Sequence, residues 1–524
     1  MKEIHGHKVM MLTGGKKKGI LRILFSRFFL MALLLVLQIG IGITIYMFFD
    51  ENIKMIHIFD GALILVMLLY LFNSEMDSSA KLTWMFIISL FPVVGSLFLA
   101  YTQSNIGNRK LTEKVSRSIE NTMDDLPQDE SVLSELAADN SGIDDLNNYI
   151  NRSGCFPIYK NTDVTYFPIG EKKFSAMLEE LEKAEDFIFM EYFIIDEGYM
   201  WGRILEILAR KASEGVDVRV MYDGMCDIST LPHNYPKLLE LHGIKSKRFS
   251  PLRPFVSTHY NYRDHRKILV IDGKVGFTGG VNLADEYINE IERFGHWKDT
   301  AVMLKGEAVS SLTLMFLQMW SITQSSETDY SPAQISYKAE NAEGYVMPYC
   351  DCPLDDDKVG ENVYIDMLYH ANNYVHIMTP YLILDDELKM ALKYAGQRGI
   401  DVKIILPGKP DKATAYALAK RHYKVLLDSG VSIYEYTPGF VHAKSFVSDD
   451  TKAVVGTINL DYRSLYHHFE CAAYMYKTPC ISEIEEDYQE TLAKCTQVTY
   501  ESIKNEPFHY KALGIVLKLL APLM

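Results

Sequence analysis

The sequence runs to 524 residues, which at ~150 residues per domain leaves room for about three packed units. Its 53 Lys and Arg stand against 68 Asp and Glu, a formal net charge of −15, so the chain as a whole repels nucleic acid phosphates and a polynucleotide partner is disfavoured. Seven scattered cysteines form neither a disulfide framework nor a paired zinc-ligand spacing, and the close pair Cys350 and Cys352 reads as incidental in a loop.

The first hundred residues are apolar in blocks. Phe28–Phe49 is 22 residues without a charge and Leu82–Thr102 a further 21, and a helix needs ~20 apolar residues to cross a bilayer. Both are predicted to span. Ile56–Phe72, interrupted by His57 and Asp60, makes a third crossing if its start sits at the interface. The first block is too long for the apolar core of a signal peptide and no small-x-small cleavage site follows it, so it reads as an uncleaved anchor. Lys2, Lys8, Lys16, Lys17, Lys18, Arg22 and Arg27 precede it and favour an inside amino terminus. With three crossings the bulk of the chain then lies outside. Arg109, Lys110, Lys114 and Arg117 after the last block pull the other way, which suits two crossings and a buried or re-entrant third block, and the side stays open. Residues 1–106 are thus expected to be a membrane region with two or three transmembrane helices, and 107–155 a polar, acid-rich linker with some helix.

From about residue 156 the chain repeats itself. "EDFIFMEYF" is answered by "NNYVHIMTPY", "EGVDVRVMYDG" by "RGIDVKIILPG", "LLELHGIKSKRFSP" by "LLDSGVSIYEYTPG", and His265 by His442, in one order. Strand-like runs such as "VDVRVMYD" follow helical stretches such as "ILEILARKASEG", so each half alternates helix and strand around a buried sheet. The fold class is α/β, with two duplicated lobes at 156–330 and 331–524 forming one catalytic unit behind the membrane region. The second lobe ends in an apolar tail from Phe508, read equally as an interfacial amphipathic helix or as packing on that lobe. Neither half carries a glycine-rich phosphate loop.

The chemistry gathers at "HRKILVIDG" and "HAKSFVSDD". Side chains at i and i+2 of a strand share a face, so His265 projects with Lys267 and His442 with Lys444. In both halves Lys follows His at +2, Asp at +7, small residues at +14 and +15 and Asn at +17. Asp-Gly at 272 and 273 signals a two-residue hairpin turn, which lays Gly280 across from His265 and Asn282 across from Arg263. The same register lays Thr457 across from His442, with Asn459 just beyond, and the small residues leave room for a ligand beside each ring. Two ammoniums and two carboxamides make a phosphate cradle. The lysines repel a cation beside the imidazoles, so no metal is read. Two histidines divide the labour: a neutral imidazole attacks phosphorus, and a protonated one hands its proton to the departing alkoxide. Each ring needs a carboxylate to fix its tautomer, and Asp299 and Glu470 are the candidates. Asp272 and Asp449 sit at an odd offset from the histidines, which favours a turn role. Adjacent His467 and His468 face opposite ways on a strand and read as structural. Aromatics of "EYF" and "PYL" either flank a substrate or pack in the core.

The paired H-x-K-x4-D motifs, each trailed by small residues and asparagine, resemble the phospholipase D superfamily. "NYRDHRKILVIDGKVGFTGGVNLADEY", "GHWKDT", "TPYLILDDEL" and "YEYTPGFVHAKSFVSDDTKAVVGTINLDYRSLYHHFE" resemble bacterial cardiolipin synthases in particular, over nearly the whole chain. The resemblance implies two phospholipase D-like lobes and a transphosphatidylation without a cofactor. One phosphatidylglycerol gives a phosphatidyl-histidine and glycerol, and a second phosphatidylglycerol accepts the phosphatidyl group. It implies that His265 is the nucleophile and His442 the general acid, that Asp272 and Asp449 complete the catalytic motifs, and that Lys267, Lys444, Asn282 and Asn459 hold the phosphate. It also implies membrane phospholipids and the bilayer as partners, a multi-pass place in the cell membrane, and leaves an oligomer allowed. "KRHYKVLL" replaces a usual Tyr-rich stretch, and an extra apolar block precedes the common pair. A phospholipase D hydrolysing lipids, or a synthase using another alcohol, shares the same motifs. A catalytically dead membrane scaffold predicts a lost motif member, and here both motifs are complete.

Overall fold

A computed structural model describes residues 2–4, 6–13, 36, 40, 53–103, 109–139, 141–154, 156–250, 262–323, 328–340, 342–355 and 357–521. Largely apolar runs such as Phe187–Tyr192 and Lys267–Ile271 are buried along their whole length, the charged Glu191 and Lys267 included, as strands covered by helices on both faces are. They build a sheet of seven strands in the order Thr162–Phe167, Ala301–Gly306, Val275–Gly279, Lys267–Ile271, Phe187–Tyr192, Asp217–Asp223, Lys245–Phe249. The second sheet repeats that order with Tyr345–Asp351, His468–Tyr476, Lys452–Gly456, Ser445–Ser448, Tyr374–Met378, Asp401–Pro407 and Ser432–Tyr436, then adds Cys495–Gln497. The helix Val309–Ile322 is apolar on every side and buried on every side, the pattern of a helix inside a core. It packs on strands of both sheets, and one apolar cluster runs from Phe189 and Ile268 through Leu312 to Tyr349 and Val454.

Two short pairings stitch the sheets together, and both concern the motifs. Arg263–Asp264, just before His265, pairs in parallel with His468–Phe469 of the second half. Gly439–Val441, just before His442, pairs in parallel with His296–Lys298 of the first. Backbone bonds carry each pairing on to the histidines: His265 N–H donates to the Phe469 carbonyl at 2.9 Å, and His442 N–H to the Lys298 carbonyl at 2.7 Å.

Three sequence expectations change here. The stretch expected to be a polar linker with some helix does carry helices, Arg109–Asn121, Glu130–Asp139 and Ile143–Gly154, but it packs into the body, with Leu136 and Ile143 fully buried in the shared core. Leu82–Thr102 is not one helix. Ser78–Leu90 ends at Phe91, and Pro92 opens a second helix, Pro92–Gln103, because proline holds its predecessor out of the α region. Ile56–Phe72 lies in the helix Ile53–Asn73, and no helix among the described residues is long and apolar enough to cross a membrane. Phe28–Phe49 falls outside the described residues apart from Val36 and Gly40. Third, the hairpins close through three residues rather than two. Ile271 faces Val275 and Ser448 faces Lys452, a one-residue change that moves partners to the other face of the strand.

Of the two places expected for the tail, packing on the second lobe is the one seen. Phe508–Leu520 packs Leu517 against Leu418 of the second lobe, and the Thr83 hydroxyl ties the Leu519 carbonyl to the helix Ser78–Leu90 at 2.7 Å. Its opposite face leaves Phe508 83 % exposed.

Candidate active site

His265 and His442 lie at the seam between the lobes, 6 % and 8 % exposed. His265 Nδ1 meets the Glu470 carboxylate at 2.8 and 2.9 Å, and His442 Nδ1 meets Asp299 Oδ2 at 2.7 Å. Each histidine is therefore oriented by a carboxylate of the opposite half. A carboxylate on Nδ1 makes that nitrogen the donor and leaves Nε2 for chemistry. Both carboxylates are held in turn. Glu470 accepts from the Ser464 and Thr457 hydroxyls, and Asp299 Oδ1 accepts from Thr300 N–H at 2.9 Å. Lys267 and Lys444 are buried, each folded back on the carbonyl of its own histidine. Lys444 Nζ also stands 2.9 and 3.1 Å from the two ring nitrogens of His442.

The halves share one electrostatic environment. Burial, followed by Lys267, Lys444 and His442, holds the His265 imidazole well below the usual histidine range. Burial and then Lys444 push His442 down to about 4, against the pull of Asp299. Desolvation likewise brings Lys267 down to about 8 and Lys444 down to about 7, with Glu470 and Asp299 opposing it. Asp299 is itself raised by burial, but His442 and Lys444 outweigh that and leave it below the ordinary carboxylate range. The seam thus gathers two lysines and two imidazoles around the carboxylates Asp299 and Glu470.

Asp272 and Asp449 lie away from the rings. Asp272 accepts the backbone N–H groups of Glu185, Asp186 and Phe187, each at 2.8 Å. Asp449 accepts those of Asn372, Asn373 and Tyr374 at 2.7, 2.9 and 2.9 Å. Both sit at φ +53°, a left-handed turn that aspartate tolerates. Each thus pins the start of the neighbouring strand, and the turn role favoured from the offset fits this geometry. Asp272→Ala is expected to lose about 2–4 kcal/mol of stability, since three charge-assisted bonds vanish and three donors lose their acceptor. Urea unfolding measures it; an unchanged midpoint would refute the assignment.

The asparagines are unlike each other. Asn282 accepts from Ile194 N–H at 3.1 Å and donates to the Tyr287 hydroxyl at 2.8 Å, so its amide is engaged in scaffolding. Asn459 keeps a buried Oδ1 without a hydrogen-bond partner. The small residue Gly280 makes room for a carboxylate rather than a ligand: a Cβ there would stand 2.0 Å from Asp299 Oδ1 and 3.0 Å from the His442 carbonyl.

The comparisons agree with this architecture. A family model described as "Cardiolipin synthase, PLD-like domain" matches residues 177–320 and 364–492, one stretch in each half. A cardiolipin synthase of Alkalihalophilus pseudofirmus is 33 % identical over 87 % of this chain and 91 % of its own length. The chain belongs to the cardiolipin synthase family of phospholipase D-like enzymes. An uncharacterized protein of Streptococcus mutans is 58 % identical over 87 % of this chain and 99 % of its own. The crystal structure of a phosphatidylserine synthase of Haemophilus influenzae shares the fold at a TM-score of 0.55 and 14 % identity, covering 72 % of this chain and 97 % of that one.

In this member of the cardiolipin synthase family, several site neighbours escaped the sequence reading. His468, read as structural, packs 5.2 Å from His265 between ring centroids and buries both ring nitrogens without a hydrogen-bond partner. Phe193 of "EYF" meets His265 edge-on at 4.9 Å, while Tyr192 lies in the core. Tyr287 and Trp297 each stand 5.4 Å from His442. Lys173 is fully buried below the site, donating to the Val281 carbonyl. Arg266 is buried against Glu191 at 2.7 Å. No local pattern announces these contacts, because their partners are remote in sequence. His265, His468 and Glu470 place ligand atoms within 4.8 Å of one another, yet Glu470 already serves His265, Ser464 and Thr457. That donor set suits proton control.

Proposed function

We propose that this chain is a cardiolipin synthase, transferring a phosphatidyl group from one phosphatidylglycerol to another through a phosphatidyl-histidine on His265. The observation that carries it is the crossed pairing of two buried imidazoles with carboxylates of the opposite halves, beside two buried lysines. His265 Nε2 attacks phosphorus, and the phosphorus–oxygen bond to glycerol breaks. His442 gives its Nε2 proton to the leaving oxygen. His442 then takes the proton of an acceptor hydroxyl, that oxygen attacks the same phosphorus, and the phosphorus–nitrogen bond breaks. His265, held well below the usual histidine range by burial and the neighbouring lysines, is neutral and nucleophilic at neutral pH. A phosphodiester anion between Lys267 and Lys444 offsets their effect on His442 and favours its protonation. Asn459, with its free oxygen, suits contact with a glycerol hydroxyl. Exclusion of water from so buried a pair favours an alcohol acceptor over hydrolysis.

The membrane is the proposed location, by a multi-pass insertion in which Phe28–Phe49 takes part. Phe72 at 78 %, Leu97 at 66 % and Phe508 at 83 % exposure give the helical region and the tail an apolar surface of the kind that seeks lipid. With purified enzyme and phosphatidylglycerol vesicles, thin-layer analysis is expected to give diphosphatidylglycerol and glycerol in equal amounts. Phosphatidic acid as the sole product would replace this reading with hydrolysis.

The pH dependence follows from the lysines. Their lowered values mean that positive charge is lost as pH rises through about 7 for Lys444 and about 8 for Lys267, far below an ordinary lysine. Hence kcat/KM, which reports the free enzyme, is expected to fall between pH 6.5 and 9 through a rising KM. A KM constant over that range would contradict a cradle built on these two groups.

A further inference from the structure

Away from the imidazoles, where the lysines repel a cation, a separate group of acids gathers at the starts of two helices of the second lobe. Glu361 lies in the first turn of the helix Val359–His370, and Asp385 caps the helix Asp386–Gln397, whose first turn carries Glu387. Each of the three brings a carboxylate oxygen within 4.8 Å of the others. Acids are ordinary at helix starts, where unpaired backbone N–H groups face them. Asp385 is used in that way, its Oδ1 accepting from Leu388 N–H at 2.9 Å. Glu361 is different. It is 1 % exposed, and neither of its side-chain oxygens has a hydrogen-bond partner among the described residues. A carboxylate buried without donors is unfavourable unless a positive charge meets it.

The neighbouring ammonium falls short of that. Lys358 Nζ stands 3.6 Å from Glu361 Oε2 and donates instead to the Tyr466 hydroxyl at 2.9 Å. The Tyr466 hydroxyl donates in turn to Asp385 Oδ2. One ammonium thus stands beside three carboxylates, and a double positive charge would balance them. The bonds from Leu388 and Tyr466 fix Asp385 from both sides and leave each of its oxygens a lone pair, as the outer partners of a metal ligand do. Burial, and then the approach of Asp385, push the Glu361 carboxyl up to about 9, so a proton takes the place of a cation when none is bound.

We propose that Glu361, Asp385 and Glu387 bind one hard divalent cation, of the calcium or magnesium kind, between the starts of these two helices. Carboxylate oxygens with no imidazole or thiolate among them suit such an ion over zinc or copper. Glu387 is exposed and gives the ion its way in from solvent, while Glu361 holds it from the buried side. The ion stays apart from the chemistry and reaches it through one helix. Tyr466 belongs to Tyr462–His467, whose Ser464 hydroxyl donates to Glu470, so a cation that fixes Asp385 braces a support of the catalytic carboxylate.

The probe is Mn²⁺, a hard divalent ion that electron paramagnetic resonance counts directly. Titrated into the full chain in an uncharged detergent free of anionic lipid, it is expected to saturate at one ion per chain and to raise the unfolding midpoint, as a ligand of the folded state does. Glu361→Gln is expected to abolish both effects. Glu387→Gln, at the exposed ligand, guards against loss by misfolding. Its midpoint in chelator is expected to match that of the unsubstituted chain while its affinity for Mn²⁺ falls by at least about tenfold, because affinity follows the number of charged ligands. Binding that never saturates overturns the site. Saturable binding that survives unchanged in both variants places the ion elsewhere and overturns it equally.

Discussion

His265→Ala is expected to abolish phosphatidyl transfer, a loss of at least about 10⁴-fold in kcat, the scale on which removal of an activated nucleophile acts. Loss alone does not separate nucleophile from general acid, because either variant stalls the natural reaction. A phosphatidyl ester of p-nitrophenol does separate them. Its leaving group departs without a proton, so a missing acid matters little while a missing nucleophile remains fatal. His442→Ala is expected to release p-nitrophenol in a burst of one per active site and then stop, since nothing deprotonates the acceptor. His265→Ala is expected to give no burst. The reverse pattern would exchange the two roles.

What made the site legible was duplication. A lone histidine near a strand carries little information, but two with identical spacing to Lys, Asp and Asn cannot be explained by burial or propensity. The repeated order also made the two lobes legible, and the sheets repeat it strand for strand. The limits lay where the outcome depends on contacts between remote segments. Asp299 and Glu470 stood out as carboxylates near the motifs, yet nothing in their neighbourhood says which ring each serves; that depends on how the lobes dock. Gly280 read as space for a ligand because its occupant, Asp299, arrives from another strand. The Asp-Gly pair announced a turn but not its length, since Asp272 is turned inward to three backbone donors and the loop takes an extra residue. In the apolar blocks, hydropathy alone counted Leu82–Thr102 as one span, and Pro92 broke it. His468 was set aside by strand alternation, and its burial beside His265 comes from the pairing of His468–Phe469 with Arg263–Asp264.

The crossed wiring has the second large consequence. Asp299→Asn and Glu470→Gln keep the shape of each carboxylate but remove the charge that stabilises an imidazolium or a phosphorylated ring, and each is expected to lower kcat by about 10³ to 10⁴. Their distinguishing feature is which histidine they imitate. Asp299 lies in the first half but bonds His442 of the second, so Asp299→Asn is expected to behave as His442→Ala does, with the p-nitrophenol burst retained and turnover lost. Glu470 lies in the second half but bonds His265 of the first, so Glu470→Gln is expected to behave as His265→Ala does and slow the burst itself. A variant that copied the histidine of its own half would refute the crossing. The same geometry makes the two halves inseparable for chemistry. Either lobe alone retains a histidine whose partner carboxylate, and whose backbone acceptor at Phe469 or Lys298, belongs to the other, so separately produced halves are expected to be inactive until they dock.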